Sequence, residues 1–262
     1  MLLTLALFAA APVAAAEHRL VLFGGGDRPS GAQQRFVDWA GGKKSRIIAL
    51  PWASSVPETY YAYISSGLLA HGAGSVEMCA STWTRSDWAD AFRAQLSSAT
   101  GVFIIGGDQS QFMATVEAGG LLGDLRKAYD SGVAFAGTSA GTAVMSRVML
   151  TGEGDPEVID GSTVGVRGGL GLLPGVITDQ HFIARQRENR LFGLMLLHRD
   201  LLGVGVDEAA ALAVRGDRFA EAFGIVPTDM VMIVQPDAKV ERLVVDLLRP
   251  GQRYDLRLRR RL

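Results

Sequence analysis

Three short apolar runs that each stop at a glycine turn constrain this chain more than any other feature. Arg19–Phe23 runs into Gly24-Gly25-Gly26, Gly101–Ile105 ends at Gly106-Gly107, and Val133–Ala136 leads into Gly137-Thr138-Ser139-Ala140-Gly141. Arg46–Leu50 and Ser75–Cys79 read as two more strands. Helix-compatible stretches separate the strands: Ala32–Ala40, Pro57–His71, Asp87–Leu96, Gln109–Glu117 and Leu122–Asp130. Strands apolar on both sides of the pleat need cover on both faces. Alternation of such strands with helices predicts a doubly wound α/β fold, with a mostly parallel sheet and helices on both faces. Ligands in these folds bind beyond the carboxyl ends of the strands. The three glycine turns therefore mark where a site is expected.

The rest of the composition narrows the function. The chain has 262 residues, 48% hydrophobic and 20% charged, with a net charge of -1. A chain of that size buries roughly 70–75% of its unfolded surface and needs no staple. The charge balance lacks the basic excess of a nucleic-acid binder, so none is expected as a partner. With one cysteine, Cys79, neither an internal disulfide nor a multi-cysteine metal site is available. No metal and no cofactor are expected.

Met1–Ala16 contains no charged side chain, and Ala14-Ala15-Ala16 precede Glu17. An apolar stretch followed by small residues is the pattern of a cleaved secretory signal. The segment is shorter than the ~20 residues of a membrane span, so no stable span is expected after cleavage near Ala16. The expected product is a single domain over 17–262, periplasmic or secreted. Within it, residues 151–175 form a long Gly/Pro-rich excursion, read as a hairpin and binding loop. The arginine-rich end, Arg257–Arg261, reads as an exposed, frayed terminus.

The chemistry centres on Gly137-Thr138-Ser139-Ala140-Gly141. A buried strand enters it and the helix-compatible run Thr142–Arg147 leaves it, which sets serine at the tip of a strand–elbow–helix turn. At the helix start the Ala140 N–H is placed to hydrogen-bond an oxyanion. A serine nucleophile needs a base. Of the four histidines, His18 is near the N-terminus, His71 caps a helix before Gly72, and His198 sits on an amphipathic run. His181, in Thr178-Asp179-Gln180-His181-Phe182, follows the short strand Val176-Ile177 and is the best candidate. Val204-Gly205-Val206-Asp207-Glu208 brings two carboxylates to another strand end, and one of them can orient the imidazole. The order serine, histidine, acid departs from the α/β-hydrolase order of serine, acid, histidine.

Four segments together resemble the cyanophycinase family: Ile105-Gly106-Gly107-Asp108-Gln109, the serine elbow, Asp179-Gln180-His181-Phe182 and Gly205-Val206-Asp207-Glu208. That family is similar to the α-aspartyl dipeptidases and has a flavodoxin-like, class I glutamine-amidotransferase-like architecture. The resemblance implies a serine exopeptidase in which Ser139 is the nucleophile, His181 the base and Glu208 its partner. The Gly107 or Asp108 N–H, with that of Ala140, would form the oxyanion hole. Gln109, Asp179 and Gln180 would contact substrate, Asp179 by holding a substrate arginine. Arg185, Arg187 and Arg190 would form an anion-binding rim. The implied substrate is cyanophycin, an aspartate backbone with arginine on each β-carboxyl, cleaved to β-Asp-Arg dipeptides. The implied assembly is a homodimer. An aspartyl or isoaspartyl dipeptidase without polymer activity and a non-catalytic amidotransferase-like binding domain are the competing readings. Thr142 departs from the alanine usual in the family. Gln186, Glu188 and Asn189 stand among the arginines where glycines are common.

Overall fold

The computed structural model describes residues 16–81 and 85–262. The expected leader therefore lies outside the described residues, apart from Ala16. The first half alternates strands and helices: β1 (Arg19–Phe23), α1 (Ser30–Trp39), β2 (Arg46–Leu50), α2 (Pro57–Ala70), β3 (Ser75–Met78), α3 (Trp88–Ser98), β4 (Gly101–Ile104), α4 (Gln109–Ala118), α5 (Leu122–Asp130) and β5 (Ala134–Thr138). The second half is richer in strands: α6 (Ala140–Ala143), β6 (Val148–Leu150), β7 (Val166–Gly168), β8 (Val176–Gln180), α7 (Glu188–Leu197), β9 (Leu202–Val206), β10 (Ala210–Arg215), β11 (Phe219–Gly224), β12 (Val231–Pro236), β13 (Leu243–Leu248), β14 (Arg253–Asp255) and β15 (Arg260–Arg261).

A nine-stranded sheet has the order β15-β14-β11-β10-β1-β5-β4-β2-β3. The segment β1-β5-β4-β2-β3 is parallel. The strands beyond β1 extend it in antiparallel pairs. Side chains alternate faces with period two. Leu20, Leu22, Ile48, Leu50, Val102, Ile104 and Phe135 pack on one face with α3, α4, α5 and α6. Val21, Phe23, Ile47, Ala49, Phe103 and Ala136 pack on the other face with α1 and α2. Helices thus cover both faces, as the two-sided apolar strands require.

The sequence pattern did not separate the later strands from this sheet. β8 and β9 pair in parallel with each other and continue through β12 to β13 in a second sheet. α7 covers one face of that sheet through Leu191, Leu194 and Met195, while Val204, Val206 and Ile233 face the main core. The chain crosses from the second sheet to the first in one turn, Asp207-Glu208-Ala209, between β9 and β10. The hairpin expected after residue 150 is the β6–β7 pair. The helix after the serine elbow is shorter than the sequence run: α6 ends at Ala143. The C-terminus is also corrected. It is not frayed, because buried Tyr254 and Leu256 anchor β14 and Arg261 bonds to Asp246 at 2.9 Å. Among the described residues, no helix is long and apolar enough to cross a membrane.

Trp52, which follows β2, is fully buried and meets Trp88, Phe92 and Phe112 at ring separations of 5.7, 4.8 and 5.6 Å. Trp52→Ala should cost about 3–5 kcal/mol of stability through the cavity it leaves. Urea unfolding monitored by circular dichroism checks this; a loss under about 1 kcal/mol would show that the α3 and α4 contacts collapse onto the space.

Candidate active site

β5 ends at Thr138, and the chain reverses through Ser139 into α6. Ser139 has φ 54° and ψ -119°, a conformation that costs a non-glycine residue about 1–3 kcal/mol and persists only where neighbours enforce it. The neighbours are tight. A Cβ on Gly137 would lie 2.1 Å from the Gly141 carbonyl oxygen, and one on Gly141 would lie 2.2 Å from that of Ile104. Both glycines of the elbow are therefore required by backbone contact. The Ser139 N–H donates to the Phe23 carbonyl at 3.1 Å, which ties the elbow to the end of β1.

His181 follows β8 and also has positive φ, 47°. Its N–H donates to the Gly24 carbonyl at 2.9 Å. Its ring lies against Gly25, where a Cβ would approach Cε1 to 2.1 Å. The Asp207-Glu208-Ala209 turn docks on the same glycines: the Gly24 N–H donates to Ala210 O and the Ala209 N–H to Gly25 O, both at 3.1 Å. A Cβ at Gly24 would fall 1.9 Å from Asp207 O. The Gly24–Gly26 turn is thus the seat on which strand ends from both sheets meet.

These placements join three side chains. Glu208 Oε1 lies 2.5 Å from His181 Nδ1, and His181 Nε2 lies 2.8 Å from Ser139 Oγ. A carboxylate only accepts, so Nδ1 carries the proton and donates it. Nε2 of the neutral ring then accepts from the serine hydroxyl. A hydroxyl bonded to an oriented, neutral imidazole is arranged for nucleophilic attack with proton transfer. Of the two candidate acids, Glu208 meets the ring. Asp207 instead accepts the Ile183 and Ala184 N–H groups at 3.0 Å each and shapes the turn after His181.

Around this chain the expected contacts divide. Gln180 is buried, with Oε1 3.4 Å from Ser139 Oγ. Gln109 is buried at the start of α4 and donates to Leu150 O at 3.1 Å. Ala140 opens α6, so its N–H has no intrahelical acceptor. The Asp108 N–H, expected as an alternative oxyanion donor, bonds instead to Ala53 O at 2.8 Å, and its carboxylate caps α4. Gly107, with φ 140°, donates to no acceptor among the described residues.

The arginine rim is corrected in part. Arg190 is 6% exposed and Asp179 1% exposed. Nε and Nη2 of Arg190 fork onto the two Asp179 oxygens at 2.7 and 2.6 Å, and Nη1 donates to Gly152 O at 2.9 Å. Period two along β8 sends Gln180 toward Ser139 and Asp179 to the opposite face, beneath α7. Arg190 and Asp179 are therefore internal partners rather than substrate contacts. Arg187 is part-buried and donates to Gln180 O at 2.7 Å. Burial and the neighbouring Arg190 push its pKa down to about 10, so it is cationic at neutral pH. Arg185 is exposed and in no ion pair among the described residues. No group of three or more His, Cys, Asp or Glu among those residues is arranged to hold a metal.

The sequence marked the Gly24–Gly26 turn as a place for a site but did not disclose that it seats His181, nor the Asp207 contacts. Three successive glycines after an apolar strand were the available signal, since one glycine suffices for a turn. Two cavities of about 580 and 480 Å³ open elsewhere, and neither is lined by Ser139, His181 or Glu208.

Burial holds the His181 pKa below the ordinary imidazole value, and the charges of Arg185 and Arg187 push the same way; the Glu208 hydrogen bond opposes them. A base acts when neutral, so the acid limb of kcat/KM should lie below pH ~6.5. Removing a cation stabilises the imidazolium, so Arg185→Ala should move that limb to higher pH, and more at low salt than at high salt. Rate profiles from pH 4 to 9 at two ionic strengths, each a roughly chosen span, read this directly. A limb that stays in place would separate Arg185 from His181 electrostatically.

Comparison with known proteins identifies the family. The model of peptidase family S51 matches residues 20–222. The cyanophycinase of Trichormus variabilis is 31% identical over 252 residues, covering 90% of this chain and 85% of that protein. The cyanophycinase of Synechococcus elongatus is 34% identical over 254 residues, covering 91% and 75%. Among solved structures, a peptidase from an acI-B1 actinobacterium superposes with a TM-score of 0.67 at 17% identity, covering 91% of this chain and 96% of that one. A putative peptidase E from Listeria monocytogenes gives 0.57 at 15% identity, covering 80% and 100%. The chain belongs to peptidase family S51 and is a serine-type peptidase.

Proposed function

We propose that this peptidase is a cyanophycinase, with Ser139, His181 and Glu208 as its catalytic residues. The unbroken hydrogen-bond chain through these side chains, 2.8 and 2.5 Å, carries the reading. Ser139 Oγ attacks the scissile carbonyl and gives its proton to His181 Nε2. The C–N bond breaks, and His181 returns that proton to the leaving amine. Water, deprotonated by His181, then cleaves the ester, and His181 returns that proton to the departing Ser139 Oγ. Glu208 holds the reactive tautomer and stabilises the imidazolium. The Ala140 and Gly107 N–H groups hold the oxyanion, a role worth about 10²–10³-fold in rate per donor. Arg185 and the outer edge of Arg187 attract substrate carboxylates, for which a guanidinium fork is suited.

The finer architecture is flavodoxin-like. β3-β2-β4-β5 follows the first four places of the order 2-1-3-4-5, and β1 fills the fifth. Export belongs to the same reading, supported by the uncharged run before Glu17. So does a homodimer, supported by the edge strand β13, which exposes Val244, Val245 and Leu247.

The test is turnover by purified protein of cyanophycin, a β-Asp-Arg dimer and a neutral peptide analogue. The expected result is release of β-Asp-Arg from the polymer, reduced about 10⁴-fold or more in Ser139→Ala with its fold intact. Cleavage of the short substrate alone would replace this reading with an aspartyl dipeptidase. Cleavage of none would leave a binding domain.

A further inference from the structure

Ser139 and His181 belong to different sheets, and no backbone ladder joins β5 to β8. Apolar packing between the two layers is strong but tolerates sliding, whereas the Ser139–His181 hydrogen bond does not. At the site itself the His181 N–H bond to Gly24 O supplies one directional tie between the layers; a second set lies beneath it. Three fully buried hydroxyls lie at that seam: Thr142 on α6, Ser146 just after it, and Thr178 on β8.

Their bonds admit one proton ordering. Thr178 Oγ1 lies 2.9 Å from the Thr142 carbonyl. A carbonyl only accepts, so Thr178 donates there. Thr178 Oγ1 is also 2.9 Å from Ser146 Oγ; its own proton is committed, so Ser146 donates to it. Ser146 Oγ in turn accepts the Thr178 N–H at 2.9 Å. The Thr142 hydroxyl lies 2.7 Å from Phe23 O and 2.8 Å from Gly137 O, tying the ends of β1 and β5 together. Phe23 O is the same carbonyl that receives the Ser139 N–H. A continuous path therefore runs from the serine elbow through Phe23 O, Thr142, Thr178 and along β8 to Gln180 and His181.

We infer that Thr142, Ser146 and Thr178 are positioning residues that set the Ser139–His181 distance across the two sheets. The inference extends the proposed mechanism and rests on Ser139 as its nucleophile. None of the three touches the reacting atoms. They act through the carbonyls and strands that carry Ser139 and His181. Buried hydroxyls suit the task because an unmade bond inside the core leaves a desolvated polar group without a partner, which penalises sliding in any direction.

The test compares Thr142→Val, Thr178→Val and Ser146→Ala with Thr142→Ser and Thr178→Ser. Each protein is checked for folding by near-ultraviolet circular dichroism. It is then reacted with a fluorophosphonate, which labels an activated serine whatever the natural substrate is. The expected result is about 10–100-fold slower labelling and a matching fall in kcat for the hydroxyl-deleted variants, on the scale of a mispositioned reacting pair. KM should change less than about 3-fold, and the Thr→Ser variants should recover most of the rate. Deleted variants that fold and label at the wild-type rate would overturn the inference. So would Thr→Ser variants as slow as the valine ones. If a valine variant does not fold, Ser146→Ala decides, since it removes the donor to Thr178 Oγ1 and the acceptor of the Thr178 N–H and leaves only an oxygen-sized gap. A wild-type protein that fails to label would instead sink Ser139 as an activated nucleophile.

Discussion

The contact on which the site depends is the seating of His181 on the Gly24–Gly26 turn. The serine is built on the main sheet, while the histidine and Glu208 come from strand ends of the second. Gly24 offers its carbonyl to His181 and its N–H to Ala210, and Gly25 O receives Ala209. One turn thereby fixes both the base and the carboxylate that orients it. A side chain is excluded on steric grounds: a Cβ at Gly25 would enter the imidazole ring, and one at Gly24 would strike the Asp207 carbonyl. The central strand β1 makes this precision possible, because its two covered faces and paired edges leave the following turn little freedom. Ser139 and His181 can then hold left-handed backbone conformations that neither would adopt in isolation.

Beneath the second sheet, the Asp179–Arg190 pair does a different task. A forked, buried ion pair contributes little net stability against an apolar alternative, yet losing one partner costs about 3–5 kcal/mol. Its use is geometric. It fastens α7 to β8, and the third Arg190 bond holds Gly152 at the start of the 151–165 loop. Arg187, just before α7, lies 3.8 Å from the same Asp179 carboxylate and donates to Gln180 O.

Much of the fold was legible because buried parallel strands are written in uninterrupted apolar letters. β1, β2 and α5 coincide with the runs that define them. The second sheet was not legible, since Val176-Ile177 and Val204–Val206 look the same whichever sheet they join. Partner choice comes from the register and crossover, which no local run encodes. Ser139, His181 and Glu208 stood out as chemistry-bearing residues at strand ends, and the structure brings them together. Asp179 and Arg190 misled for a specific reason. A charged residue beside a site residue in sequence lies on the opposite strand face, and a helix beginning at Glu188 turns Arg190 inward to meet it. The Thr142–Ser146–Thr178 seam escaped because hydroxyls carry no signature until their partners from another element are known.

On the proposed reading, the charges around His181 would let the site respond to its substrate. In the free protein, burial and the nearby Arg185 and Arg187 disfavour the imidazolium, which keeps the base neutral but weak. On the proposed reading, a substrate carboxylate settles on exposed Arg185 and cancels much of that repulsion. The imidazole then gains affinity for the proton it must take from Ser139, while Glu208 continues to hold Nδ1. A ligand lacking the carboxylate would leave the repulsion in place and meet a poorer base. On that reading Arg185 would both attract the substrate carboxylate and, after burial, add to what disfavours the imidazolium in the free protein.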